Sequence, residues 1–478
     1  VKSVWNIAAL GILALSTGCA VGPNYHPPQT GAPAEWSSPL AGGETNGTPA
    51  DAGWWKTFSD PELNSLVARA AQSNLTLHAA AARVREARAA RGVAAADFWP
   101  SADASAAYQN ERLSANGFPE FPPGIVPFGA EIYQAGFDAT WELDVFGGTR
   151  RAVEAANAAI ASSEFGERDV LVSLQGEVAR NYIEARSFQK RLAIARQNIA
   201  AQQDVLDLTR DRYKAGLSGD LDVQQASALL ATTRAELPPL ETGFRQSAYR
   251  LGVLLGLPPG ALVEELSGDA PIPAAPPEVP AGLPSDLLRR RPDIRRAERD
   301  LAAANARIGV ATADLFPKFS LTGDVGLQSV GTSDWFTGGS RFWTAGPMVQ
   351  WRIFDAGRIR ANIRVQNARQ EQALAGYEQS VLSAMEDVEN ALTAYAKEQT
   401  RHESLVAAAE ASRQALDISQ QLYQNGLADF LRVLDSQRSL YASQDALVQS
   451  DRDVALNLVA LYKALGGGWQ AVGQQAMR

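Results

Sequence analysis

Few residues in this chain can do covalent or metal chemistry, and their positions limit what that chemistry is. The only cysteine in 478 residues, Cys19, lies in "ALSTGCAVGPNYHPP" (14–28). A lone thiol can attack an electrophile or accept an acyl group, but it cannot close a disulfide within the chain. The three histidines, His26, His78 and His402, are far apart in sequence. A His-based metal or nucleophilic cluster is therefore not expected, nor is a cofactor or an enzymatic activity. The densest charge lies in "RRRPDIRRAE" (289–298), which holds Arg289, Arg290, Arg291, Asp293, Arg295, Arg296 and Glu298. An anion site is one reading of that run. An ion-paired helix start after Pro292 is favoured, because proline suits a first helical turn. The net charge of −9, with no basic stripe, excludes nucleic acid as a partner.

The residues before Cys19 say what its thiol is for. Lys2 is followed by an apolar run from Ile7 to Leu15 and then by the small residues Thr17 and Gly18. That run is too short to span a bilayer and has the form of a secretory signal over residues 1–18. The arrangement resembles a bacterial lipoprotein signal, with Ser16 where Leu is commoner and Leu15 one place early. Cys19 is then the lipidated first residue of the mature chain; ordinary cleavage without a lipid is the alternative. The sequence starts at Val1, which fits either a rare start codon or a few missing residues. No later stretch supplies about 18 consecutive apolar residues, so a membrane crossing would have to be made by strands.

A long internal repeat organises the rest. "ADFWPSAD" (96–103) returns as "ADLFPKFS" (313–320), "ELDVFGGTRRA" (142–152) as "WRIFDAGRIRA" (351–361), and "DRYKAGLSGDLDV" (211–223) as "QLYQNGLADFLRV" (421–433). The paired prolines Pro100 and Pro317 lie 217 residues apart, Phe146 and Phe354 208, and Gly216 and Gly426 210. A duplicated unit of about 210 residues exceeds any solenoid repeat. Each copy runs in the same order. Residues 75–97 predict a helix that Pro100 ends. Strands are expected near 100–112 and 131–146, and again at 318–330 and 342–354. "FDATWELDVF" (137–146) alternates Phe137, Ala139, Trp141, Leu143 and Val145 with Asp138, Thr140, Glu142 and Asp144, giving one oily and one wet face. The strand near 100–112 alternates more weakly. Long proline-free stretches follow, from about Arg150 to Tyr213 and from about Arg358 to Tyr423, and predict helices on the order of 95 Å long. Each turns at a glycine and returns, over 220–255 and 429–465. Four strands cannot close a barrel, and an open edge is not tolerated in lipid, so several chains must share one.

In "CAVGPNYHPP" (19–28), "LLRRRPDIRRAERDLAAANARIGVA" (287–311), "DLFPKFSLTG" (314–323) and "LYKALGGGW" (461–469) the chain resembles the outer membrane factor family, the TolC- and OprM-like efflux channels, in their NodT-type lipoprotein branch. The likeness runs from Cys19 to Trp469. It implies an α+β membrane protein: a homotrimeric 12-stranded outer-membrane β-barrel, four strands per chain, continued by a long α-helical coiled-coil tunnel through the periplasm. The divisions are a signal peptide (1–18), a lipidated N-terminal and equatorial segment (19–60), a first repeat (61–255), a Pro-rich linker (256–284), a second repeat (285–465) and a tail (466–478).

The function implied is passage of small molecules such as drugs from an inner-membrane pump, of the resistance-nodulation-division type, through a passive gated channel. A periplasmic adaptor protein is the third partner, and outer membrane lipid surrounds the barrel. A type I secretion channel shares the fold, and a structural coiled-coil lipoprotein is the alternative from another class. The resemblance assigns the periplasmic gate to Asp429, Arg432 and Asp435, and adaptor docking to the tips at Gly216, Leu217, Gly426 and Leu427. The wet strand faces place Asp138, Glu142, Asp144 and Asp324 in the lumen against Arg352.

Overall fold

The computed structural model describes residues 20–29, 31, 33–37, 44–45, 53–112, 114, 129–276, 279–280 and 282–469. The signal peptide, Cys19 and the tail after Trp469 lie outside them. The main elements are α1 (Pro61–Ser73), α2 (Leu75–Ala96), β1 (Ser101–Arg112), β2 (Gly129–Leu143), α3 (Gly148–Lys214), α4 (Asp220–Ala235) and α5 (Leu237–Leu254). The second half adds α6 (Pro284–Arg290), α7 (Pro292–Ala313), β3 (Lys318–Ser329), β4 (Arg341–Gln350), α8 (Arg358–Gln424) and α9 (Phe430–Ala464). Among the described residues no helix is long and apolar enough to cross a membrane.

The chain divides into two compact units, and each draws on both repeats. One holds residues up to Pro28, 84–162 and 297–377; the other holds 29–83, 163–296 and 378 onward. The first unit contains the sheet, an antiparallel order β1-β2-β3-β4 with β1 and β4 as its edges. Cross-strand partners share a face. One face therefore carries Phe137, Val325 and Trp343 in a row, and the other carries Asp103, Asp138, Asp324 and Thr344. The alternation expected from the sequence is the alternation of the sheet.

Three pairs of equivalent elements have equal lengths. α2 and α7 are 22 residues each, β1 and β3 are 12, and α3 and α8 are 67, about 100 Å at about 1.5 Å per residue. α2 and β1 map onto α7 and β3 at a spacing of 217, whereas α3 maps onto α8 at 210. The 208-residue match of Phe146 with Phe354 is therefore a false alignment. The equivalent glycines there are Gly147 and Gly357, both left-handed (φ 81° and 84°) and both at the start of a long helix.

Three boundaries differ from expectation. β2 stops at Leu143, because Asp144 turns away to cap α3: its carboxylate accepts from Thr149 N and Arg150 N, both at 3.0 Å. β4 stops at Gln350, where its partner strand runs out at Lys318. The first returning helix, expected unbroken over 220–255, splits at Glu236, since Pro238 and Pro239 cannot donate into a continuing helix.

The second unit packs around aromatic residues. Trp54 is fully buried and stacks on Tyr462 with ring centroids 5.4 Å apart, and the Tyr182 hydroxyl donates to Asp60 at 2.9 Å. Burial pushes the Tyr182 hydroxyl up to about 12. Near the helix turns a separate cluster joins Leu206, Leu230, Leu416, Phe430 and Leu434, and the Arg212 guanidinium lies 4.6 Å from the Tyr423 ring.

Both turns end their long helix the same way. Gly216 and Gly426 have φ of 72° and 75°, and Leu217 N and Leu427 N each reach back 2.8 Å to a carbonyl, of Arg212 and Leu422. This left-handed closure suits glycine and strains any β-branched residue. Gly426→Val is expected to destabilise the protein by about 1–2 kcal/mol. Gly376→Ala, inside α8 with open space where a Cβ would sit, is expected to stabilise it by about 0.5–1 kcal/mol. Thermal unfolding followed by circular dichroism should move in opposite directions for the two variants.

Candidate functional site

The wet face of the sheet is the first candidate surface. Asp138 and Asp324, each expected on a wet strand face, are cross-strand partners, and Asp103 extends the row on β1. Thr344 donates its hydroxyl to Asp324. The expectation had missed Asp103, although Ser101, Asp103 and Ser105 alternate with Ala102, Ala104 and Ala106. That alternation of small residues was its signal, and it is weak because alanine marks an oily face poorly. Glu142 lies on the same face, 3.4 Å from Lys318 Nζ. Asp144 does not belong with these acids. It lies past the end of β2, and besides capping α3 it receives Arg150 Nε at 3.0 Å, so its charge is spent on the strand-to-helix turn. Arg352 lies beyond β4 and is exposed.

The helix tips are the second. Leu217 and Leu427 are exposed at equivalent positions of the two turns. At the start of α9, Asp429 is the N-cap and accepts from Arg432 N at 3.3 Å. Its carboxylate is 3.9 Å from Arg432 Nε, with both side chains about three-quarters exposed, so the pair adds little stability in the single chain. Asp435 is exposed and forms no ion pair within its own chain among the described residues. The three side chains therefore start one helix, and only Asp429 and Arg432 approach each other.

The basic run 289–298 is a clamp. Arg291 grips Asp293 through two nitrogens, Nε to Oδ1 at 3.0 Å and Nη2 to Oδ2 at 2.8 Å, and Nη2 also reaches Asp387 at 2.9 Å. Its Nη1 donates to the carbonyl of Ala464, the last residue of α9, at 3.1 Å. Trp469 Nε1 returns the contact by donating to Arg290 O at 2.9 Å. The segments "LLRRRPDI" and "LYKALGGGW" are thus two sides of one joint. Burial opposes the charge on Arg291, but the hydrogen bonds it donates to Asp293 and Asp387, with their negative charges, outweigh it and raise its pKa. Burial likewise opposes the Asp293 carboxylate, and its bonds to Arg291 outweigh that and hold it below the usual value.

The segment after Cys19 is also held in place. Val21 N donates to Phe146 O at 3.0 Å, and Arg151 gives hydrogen bonds to Val21 O, Gly22 O and the Asn24 side chain. Asn305 donates to Pro23 O at 3.0 Å, and Tyr25 to Glu298 at 3.1 Å. Gly22 has φ 88°, and a Cβ there would lie 2.5 Å from Gly309 Cα. "AVGPNY" is therefore shaped by the start of α3 and by the body of α7, against which it lies.

The chain matches the family model described as outer membrane efflux protein over residues 66–257 and 283–467, one match for each repeat. It is 35% identical over 478 residues to the pyoverdine export outer membrane protein OpmQ of Pseudomonas aeruginosa, covering 100% of this chain and 99% of that one. Nodulation protein T of Rhizobium leguminosarum bv. trifolii is 32% identical over 467 residues, 97% of each chain. Among solved structures, the outer-membrane channel OprN superposes with a TM-score of 0.88 at 38% identity, covering 95% of this chain and 100% of that one.

The clamp generates a stability prediction. Arg291→Ala strands Asp293 and frees the end of α9, at a cost of about 2 kcal/mol, below the fully buried value because Asp387 is half exposed. The lowered Asp293 pKa means that its contribution is complete above the ordinary carboxylate value of about 3.9 and is lost as pH falls through the lowered one. Thermal midpoints of the wild type and of Asp293→Asn should therefore differ at neutral pH and converge on acidification.

Proposed function

Because the chain belongs to the outer membrane efflux protein family, we propose that three copies pool their sheets into one barrel of twelve strands, and that their long helices form the tunnel beneath it. The protein is an outer membrane channel of an efflux pump. The observation that carries the shared barrel is the sheet itself: four strands with one oily and one wet face and two open edges. In hydrocarbon every backbone donor and acceptor must find a protein partner, and a closed ring of strands is the way a sheet achieves this.

The channel supplies a path, and an inner-membrane pump of the resistance-nodulation-division type supplies the energy. Cargo of small-molecule size fits both the family and the pyoverdine-export name of one relative. The exposed Leu217 and Leu427 at matching glycine turns suit docking of a periplasmic adaptor, since apolar side chains at a solvent-facing tip gain by being covered.

The gate is assigned to Asp429, Arg432 and Asp435. Support comes from their exposure at the start of α9 and from the weak internal pairing of Arg432, which leaves its charge for neighbouring copies. Around a three-fold axis, alternating acids and bases attract in a narrow space, where the screening that weakens exposed pairs is reduced. Arg432→Ala removes the cation and leaves carboxylates facing one another. Single-channel recordings in planar bilayers should show resting conductance rising on the order of twofold or more for this variant, with a smaller rise for Asp435→Ala. Glu241→Ala, which breaks only an exposed pair with Arg196, should behave as wild type. Unchanged conductance in both gate variants, with trimers intact, would remove the assignment.

Cys19 is the proposed acylation site, and the fixed path of residues 20–25 would hold the lipid beside the strand-to-helix turn. Mass spectrometry of the mature N-terminal peptide is expected to find Cys19 first and acylated. An unmodified terminus would refute the anchor.

A further inference from the structure

The two repeats leave one strand pairing unmade in the single chain, and they say what should make it. In the first repeat β2 runs on to Leu143, three residues past its last partner on β1, which is Ser101 opposite Thr140. Those three residues are extended because β3 pairs with them: Trp141 with Leu321, Glu142 with Ser320 and Leu143 with Phe319. In the second repeat the equivalents are Trp351, Arg352 and Ile353, 210 positions on. They follow the last β3–β4 pair, Lys318 with Gln350, and among the described residues no strand pairs with them. Trp351, Ile353 and Phe354 are 57%, 84% and 85% exposed. Their equivalence to the first repeat is visible in side chains as well. Trp141 Nε1 donates to Phe98 O at 2.9 Å, and Trp351 Nε1 donates to Leu315 O at 3.1 Å, the same bond in each repeat.

We infer that β4 pairs with β1 of a second copy in the register that β2 and β3 use within the chain. Carrying that register over sets Thr344 opposite Glu111, Ala345 opposite Asn110, Gln350 opposite Ser105, Trp351 opposite Ala104, Arg352 opposite Asp103 and Ile353 opposite Ala102. The inference rests on the shared-barrel reading and adds which residues meet.

Two features of the chain agree with this register without having been used to derive it. The first is face. Trp343, Trp351 and Ile353 fall opposite Arg112, Ala104 and Ala102, which share the face of Phe137 and Val325, while Thr344, Gln350 and Arg352 fall opposite the wet-face residues of β1. A slip by one residue would invert every side chain. The second is charge. The row Asp103, Asp138 and Asp324 places three carboxylates side by side, and like charges directly opposite destabilise a sheet. Arg352 of the second copy lands beside Asp103, at the open end of that row. The partner is thus another copy of this chain, met through the fully exposed β1 edge.

Cysteine pairs test the register in full-length protein purified from membranes. β1 and β4 are the two edges of one sheet, three strand spacings or about 14 Å apart, so a disulfide between them cannot form within a chain. Thr344→Cys with Glu111→Cys, and Ala345→Cys with Asn110→Cys, sample both kinds of antiparallel site, of which the non-hydrogen-bonded one brings side chains closer. Oxidation is expected to give covalent dimers and trimers on denaturing gels for at least one of these pairs. The two-residue slip, Thr344→Cys with Gln109→Cys, is expected to stay monomeric on the same gels. Preferential crosslinking of the slipped pair, or none in any pair while light scattering shows intact trimers, would overturn the register. No crosslinking together with a monomeric mass in detergent would instead sink the shared barrel.

A charge exchange tests the ion pair. Arg352→Asp should lower the temperature at which trimers dissociate in detergent by several degrees, and adding Asp103→Arg should recover most of that loss. Absence of recovery would refute the pairing of Arg352 with Asp103.

Discussion

An unpaired strand edge cannot remain in hydrocarbon, and this requirement accounts for more of the molecule than any single contact does. Each unsatisfied backbone group there costs several kcal/mol, so a row of them along β1 and another along β4 rule out the isolated sheet as a membrane structure. The chain meets the requirement by repetition. A duplicated strand pair already shows, between β2 and β3, how one repeat pairs with the next. The proposed extension of that pairing from chain to chain would close a ring without any new kind of interface, as heterologous contacts do when the rotation closes.

The same duplication shapes the helices. Two 67-residue helices of equal length, each closed by a left-handed glycine and an exposed leucine, belong to one plan used twice. The repeats are nevertheless not interchangeable. Asp429 caps α9 through its side chain, whereas the matching turn has Gly219 at that place. Tyr213 is exposed while its counterpart Tyr423 is buried against Phe430. The second turn therefore has a side-chain cap and a buried aromatic pair that the first lacks. Far from the turns in sequence, the Arg291 clamp ties the start of α7 to α8 and to the end of α9, so two of the segments that carry the family resemblance serve to join helices.

Much of this was legible in the residues themselves. Strict alternation over 137–143 and 318–328 named the strands and their faces, because a period of two has no helical counterpart. Absence of proline across 150–213 and 358–423 named the long helices. What escaped had local causes. Asp144 continued the wet alternation in sequence, yet its carboxylate was needed by the amide groups at the start of α3, a competition that alternation alone does not reveal. The Pro238–Pro239 pair was readable and broke a helix expected to be continuous. Aligning Phe146 with Phe354 favoured a shared side chain over a shared backbone, and the left-handed Gly147 and Gly357 correct it. The pairing of Arg291 with Asp387 joins positions 96 residues apart, and no local pattern announces such a contact.

The measurement that bears most directly on the shared channel is electron cryomicroscopy of the full-length protein in lipid nanodiscs. A closed ring of twelve strands from three copies, with β4 of each beside β1 of the next and the row Asp103, Asp138 and Asp324 facing an open aqueous path, is the predicted result. A sheet whose β1 and β4 edges remain unpaired, or a ring with those carboxylates turned toward lipid, would contradict it.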